Sequence, residues 1–298
     1  MRFEVIGVLS LAGLARAHIF AWHKAMYCLN GTTAGQDNAN TNDAVNPLYD
    51  LPKSEWWFHA TNGCNKFPPP AGVFLDLPAG GSFTVEMAEN RAFTSLSYGG
   101  SKVTAWGDGK THPEGYSITN LGGAAISGSG CLSSPNLHAK SESDVAGSAF
   151  AISYQSDLSK VTPENLVVFS VRYHTPYKRL ASFDVPADMP ACPSAGCICA
   201  WGWVPNKCGQ ANMYMGGYRC RVTNAKSTVP LAAAKPPVWC ENNASACVQG
   251  AKQMVYWQQR DGNNIVTSGN EADGTPKSPG YNMKLGFTDG AQKNIFQK

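Results

Sequence analysis

Cys199-Ala200-Trp201-Gly202-Trp203-Val204-Pro205-Asn206 and, a few residues on, Asn212-Met213-Tyr214-Met215-Gly216-Gly217-Tyr218-Arg219-Cys220-Arg221-Val222 decide how the fold is read. Both stretches are rich in aromatic residues and bounded by turn formers, the pattern of strands rather than helices. Side chains alternate across a strand. Trp201 and Trp203 therefore share a face, expected to be the core, while Met213 and Tyr214 point to opposite sides. Moving outward, further strands are expected at residues 73–77, 82–87, 94–98, 103–106, 149–154, 166–171 and 179–186. No segment is long and amphipathic enough to serve as the crossover helix of a parallel sheet. The spacing predicts a mostly β protein, an antiparallel immunoglobulin-like or fibronectin-like β-sandwich with long loops and disulfides.

The loops have characters of their own. Residues 30–47 are polar and aperiodic, as a surface loop should be. Trp56-Trp57-Phe58-His59 is either a platform for sugar rings, whose CH faces pack on aromatic π surface, or a core cluster near Cys64; the core reading is preferred. The Gly-rich run 122–130 has no Gly-Lys-Ser/Thr after it, so nucleotide binding is excluded. Residues 18–240 are expected to form one domain. Residues 241–298 are expected to be a partly irregular C-terminal extension, rich in Gly, Asn, Asp and Lys beyond Arg260.

Composition narrows the class. Only 15% of the 298 residues are charged, and the formal charge is +3. A chain so near neutrality has neither the basic field of a nucleic-acid binder nor that of a protein held on an acidic membrane. It is expected to act as a monomer. The start of the chain reads as a secretory signal over residues 1–17. Arg2 supplies the positive end, residues 5–14 a short apolar core, and Ala15-Arg16-Ala17 a small-x-small cleavage site. The ten cysteines all follow that site, and an even count behind a signal reads as disulfides in a secreted, extracellular protein. Their pairing is not readable. Asn30-Gly31-Thr32 and Asn243-Ala244-Ser245 are glycosylation sequons at Asn30 and Asn243.

Cleavage after Ala17 would make His18 the first residue. An N-terminal histidine offers an imidazole and a free α-amine, a chelating pair that suits the tetragonal nitrogen sites copper prefers. A second imidazole is needed, and the candidates are His59, His112, His138 and His174. Taken alone, His23 reads as a partly buried polar residue, His112 as a turn histidine and Tyr214 as a core aromatic. Gln210 and Asn212, close to Tyr214 in sequence, are candidates to hydrogen-bond an oxygen species. No carboxylate pair of the glycosidase kind stands out.

The order of motifs then becomes informative. His18 behind a signal is followed by Ala149-Phe150-Ala151-Ile152-Ser153-Tyr154 and by Ser182-Phe183-Asp184-Val185-Pro186-Ala187-Asp188-Met189-Pro190. Trp201-Gly202-Trp203-Val204-Pro205-Asn206 and Asn212-Met213-Tyr214-Met215 come next. This series resembles the fungal lytic polysaccharide monooxygenases, and over nearly the whole mature chain it resembles auxiliary-activity family fourteen. Cys197-Ile198-Cys199 leading into the Trp-x-Trp piece is its most specific part. The resemblance implies copper held by His18 and His138, with Tyr214 in the axial position and His112 in reserve as second ligand. It also implies an external electron donor, O2 or H2O2 as co-substrate, and a polysaccharide substrate, xylan on a cellulose surface. One alternative is a secreted copper-binding protein of the same fold that cleaves no glycan; another is a structural, disulfide-stapled wall protein with no metal.

Overall fold

The computed structural model describes residues 18–122, 130–206, 208–272 and 274–298. The expected signal segment, residues 1–17, and most of the Gly-rich run lie outside the described residues. Nine strands are described: β1 (Phe20–Trp22), β2 (Leu75–Pro78), β3 (Ser82–Ala88), β4 (Ser148–Ser153), β5 (Val167–Arg172), β6 (Leu180–Asp184), β7 (Cys197–Trp203), β8 (Tyr214–Thr223) and β9 (Gly290–Ala291). They form two sheets, one in the order β1-β3-β6 and the other β2-β8-β7-β4-β5-β9. The described architecture is a mostly β sandwich. All pairings between these strands are antiparallel except one, because edge strand β2 runs parallel to β8.

The packing follows from the alternation of side chains along each strand. On β7, Cys197, Cys199, Trp201 and Trp203 face the smaller sheet, while Ile198 and Ala200 face outward, and all of them are buried. On β4, Phe150 and Ile152 point in, and Ala149 and Ala151 point out. Between the sheets the aromatic rings meet edge to face, with Phe20 on Trp201 at 5.1 Å and Phe83 on Phe150 at 4.9 Å between ring centres. Rings in this geometry gain about 1 kcal/mol beyond their area burial. Gly216 makes the approach of β8 to β1 possible, since a Cβ there would lie 1.8 Å from Phe20 Cζ.

The outer face of the larger sheet is covered as well. Met254, Val255, Tyr256, Trp257, Ile265, Tyr281, Leu285 and Phe287 form a second core with it. Residues 241–298 thus supply much of that cover, joined by strand β9 on β5 and by the Cys240–Cys247 disulfide. Trp56, Phe58 and His59 belong to this buried layer, and Trp56 packs on Tyr256 with ring centres 5.1 Å apart. The Trp56 cluster is therefore core.

Two expected strands do not form. Residues 94–98 and 103–106 are irregular, with 3-10 turns at Arg91–Phe93 and Tyr98–Gly100. Side chains capture the amides there. The Glu86 carboxylate accepts from the Ser95 amide at 3.0 Å, Thr94 Oγ1 from the Leu96 amide at 3.2 Å, and Thr104 Oγ1 from the Trp106 amide at 3.0 Å. Local side-chain bonds of this kind compete with a sheet ladder. The ten cysteines make five disulfides: Cys28–Cys64, Cys131–Cys208, Cys192–Cys197, Cys199–Cys220 and Cys240–Cys247. Among the described residues no helix is long and apolar enough to cross a membrane.

Candidate metal centre

His18 lies two residues before β1, whose register sets Phe20 opposite Ala88 at the end of β3. Tyr214 opens β8 and pairs with Trp203, which closes β7. Its ring stacks on the Trp203 indole, with centres 4.8 Å apart and planes 23° from parallel. His138 comes from the long β3–β4 connection. Its neighbours Leu137 and Ala139 are fully buried, and its own φ of +44° is in the left-handed region. Backbone conformations of this kind are uncommon for side-chain-bearing residues and cluster at functional sites. The three side chains meet at one end of the sandwich.

Their contacts fix the protonation pattern. The Nδ1–H of His138 donates to the Cys208 carbonyl at 2.8 Å, which in the neutral ring leaves Nε2 as a bare acceptor. Asn136 is oriented by the His138 amide, which donates to its Oδ1 at 3.3 Å, so its Nδ2 faces His18 Nδ1 as a donor, also at 3.3 Å. His18 Nδ1 is then an acceptor too. The Tyr214 hydroxyl lies 2.9 Å from His18 Nδ1 and 3.3 Å from His138 Nε2. The imidazole rings are 5.8 Å apart and within 13° of parallel. Burial lowers the pKa of His138 and raises that of Tyr214 well above the ordinary phenol value. Two neutral imidazole lone pairs and a neutral phenol oxygen thus converge, an electron-rich set that fits a cation. Among the described residues there is no group of three or more His, Cys, Asp or Glu side chains that could hold a metal.

The other histidines stand elsewhere. His112 Nε2 bonds Asp108 at 2.9 Å and its ring stacks on Tyr116, with centres 4.0 Å apart. His59 is buried, with Nδ1 on the Met215 carbonyl at 3.1 Å and a pKa lowered to about 4 by burial. His174 is exposed and lines a different cleft. His23 accepts the Ala25 amide at 3.1 Å. Asn30 and Asn243 are both exposed, and the Asn243 carboxamide accepts from Ser245 Oγ at 2.7 Å.

His18 and His138 line a cleft of about 770 Å³, together with Tyr49, Asp50, Asn62, Gln210 and Asn212. Tyr49 is 42% exposed. Asn212 is buried, its Nδ2 donates to the Gln210 carbonyl at 3.0 Å, and its Oδ1 has no partner among the described residues. Sequence reasoning missed Asn136, Tyr49 and the Cys208 carbonyl. For Asn136 a signal existed, since an Asn side chain readily bonds the backbone amide two residues on, here that of His138.

The molecule is thus of a definite class: a disulfide-stapled β-sandwich with a two-histidine, one-tyrosine cluster at the mouth of a polar cleft. The family model described as Lytic polysaccharide monooxygenase AA14 matches residues 2–298, and the chain belongs to that family, whose members are copper-dependent polysaccharide-oxidising enzymes. It is 37% identical over 296 residues to AA14 family lytic polysaccharide monooxygenase B of Trametes coccinea (strain BRFM310), covering 95% of this chain and 63% of that protein. The protein of the same description in Pycnoporus cinnabarinus is 36% identical over 296 residues, with 95% of this chain and 71% of that one covered. The Talaromyces rugulosus one is 35% identical over 302 residues, with 98% and 97% covered. The chain therefore spans less than two thirds of the first of these relatives and nearly all of the last.

Proposed function

We propose that this protein is a secreted, copper-dependent monooxygenase that oxidatively cleaves plant cell-wall polysaccharide, with xylan lying on cellulose as its substrate. The observation that carries the reading is the convergence of His18 Nδ1, His138 Nε2 and the Tyr214 phenol beside an open polar cleft. Signal cleavage after Ala17 would free the α-amine of His18 and add the nitrogen that the side chains do not supply. Copper held by His18, His138 and Tyr214 would supply one-electron chemistry, drawn from an external donor, that turns O2 or H2O2 on a C–H bond beside the glycosidic link.

The remaining work belongs to this chain. The Cys208 carbonyl keeps the His138 proton on Nδ1 and so presents Nε2. Burial raises the pKa of Tyr214, which favours the neutral phenol, a weak ligand. Tyr49, 42% exposed, offers a ring on which a sugar can pack. Exposed Asn30 and Asn243 would carry glycans acquired during secretion.

The test is copper(II) titration of protein that begins at His18, followed by electron paramagnetic resonance, with His138→Ala alongside. A tight one-to-one, nitrogen-rich site that the variant weakens at least tenfold is expected, followed by oxidised oligosaccharides from xylan-coated cellulose. Tight copper without any glycan product would identify a copper-binding protein. No tight site in the processed protein would end the reading. Tyr49→Ala is expected to weaken adsorption to the polysaccharide and leave copper binding unchanged.

A further inference from the structure

His138 is held from a direction the copper reading does not require. The Cys208 carbonyl receives its Nδ1–H at 2.8 Å. The next residue, Gly209, sits so close that a Cβ on it would lie 3.0 Å from His138 Nδ1 and 3.4 Å from Cε1, and its φ of +84° is one that side-chain-bearing residues rarely adopt. The segment that contains both residues joins β7 to β8. It is tied to the loop that carries His138 by the Cys131–Cys208 disulfide, which spans 77 residues. Nothing else in the described hydrogen bonding of His138 addresses Nδ1, and the other described contact of Cys208 with that loop, from its Sγ to the Gly130 carbonyl at 3.9 Å, is long.

We infer that Cys208 and Gly209 are the positioning residues of His138. The carbonyl of one selects the tautomer, the missing side chain of the other leaves room for the ring, and the Cys131–Cys208 disulfide keeps both in place. A carbonyl can only accept, so while it stands there the neutral ring carries its lone pair on Nε2. Without it, a neutral imidazole in water is free to exchange between tautomers, and the Nε2–H form turns a proton toward Tyr214 and His18. Groups that orient a ligating histidine in this way commonly change metal affinity by about 10-fold to 100-fold when removed. The inference rests on the proposed function for its consequence, loss of metal affinity, but the tautomer itself is a property of the metal-free protein.

Four proteins, each beginning at His18, separate the two: wild type, Gly209→Ala, Cys131→Ser/Cys208→Ser, and Cys240→Ser/Cys247→Ser, which removes a disulfide outside the two loops that carry His138 and Cys208. In metal-free samples, long-range 15N–1H spectra of the imidazoles read the tautomer of His138. In copper-loaded samples, affinity and the hyperfine pattern are read. Wild type and Cys240→Ser/Cys247→Ser are expected to show a protonated Nδ1. Gly209→Ala, which keeps every disulfide, and Cys131→Ser/Cys208→Ser are expected to show mixed tautomers, at least tenfold weaker copper and altered hyperfine couplings. Unchanged tautomer and affinity in folded Gly209→Ala would overturn the inference while leaving the copper reading intact. A tautomer shift in a protein whose wild type binds no copper would uphold the positioning role and sink the proposed function.

Discussion

The Tyr214 hydroxyl has one proton and two imidazole acceptors within 3.3 Å. Tyr214→Phe removes it but keeps the stack on Trp203. The variant is expected to fold and still bind copper, with changed copper(II) resonance parameters; an unchanged spectrum would show that the phenol does not approach the metal. Nearby, Glu89 accepts the Asn136 amide at 2.8 Å, and burial pushes its pKa up to about 7 from 4.5. Between those values the folded protein holds a proton that the unfolded chain has lost, so Glu89 makes stability fall as pH rises from about 4.5 to 7, by on the order of 3 kcal/mol. His23 and His59, both lowered to about 4 chiefly by burial, act the other way and cost stability as pH falls from 6.5 toward 4. Glu89→Gln is therefore expected to show a melting temperature that rises more steeply from pH 4.5 to 6.5 than that of the wild type, in which Glu89 offsets part of the rise due to the two histidines. A profile parallel to the wild type would show that Glu89 titrates normally. At this scale the sequence was partly legible. His18 was marked by its place after a small-x-small site, and Tyr214 by its strand. The carbonyl that meets His138 comes from 70 residues away, and no spacing encodes it.

At the scale of elements, strands were legible where alternation or unbroken apolar runs prevailed, as in β3, β4, β5 and β7. Residues 94–98 and 103–106 carry the same β-branched and aromatic types, but Glu86, Thr94 and Thr104 bind the backbone that a ladder would need. Glu86 is held in turn by an ion pair with Arg179 at the start of the chain into β6. A long-range ion pair thus organises a loop that composition alone assigns to a sheet. The parallel pairing of β2 with β8 was also hidden, since a four-residue edge strand carries no signal of its direction. The close contact of the two sheets yields a sharp expectation. Gly216→Ala would drive a methyl into the Phe20 ring, and overpacking of this kind costs about 1–3 kcal/mol. Chemical denaturation should show a lowered midpoint; an unchanged midpoint would mean that the sheets can part without cost.

For the molecule as a whole, the second core matters most. The even-numbered positions of β7 and the odd-numbered ones of β4 point away from the sandwich interior, yet they are as buried as their neighbours. Their cover comes from residues beyond 241 and from the Trp56 region. Irregular chain could not be assigned to a face from composition, because rings such as Tyr256, Trp257, Tyr281 and Phe287 are spaced without a period. A chain cut after Cys240 is expected to bind a hydrophobic dye and to aggregate; a monomeric, dye-silent product would show that the cover is dispensable. The same arrangement bears on biosynthesis. Strands β1 to β8 leave the ribosome before residues 254–287, which must then shield the exposed sheet. Until that happens the nascent protein presents an oily flank to its surroundings, so chaperone dependence during folding should be governed by this late segment rather than by the histidine end.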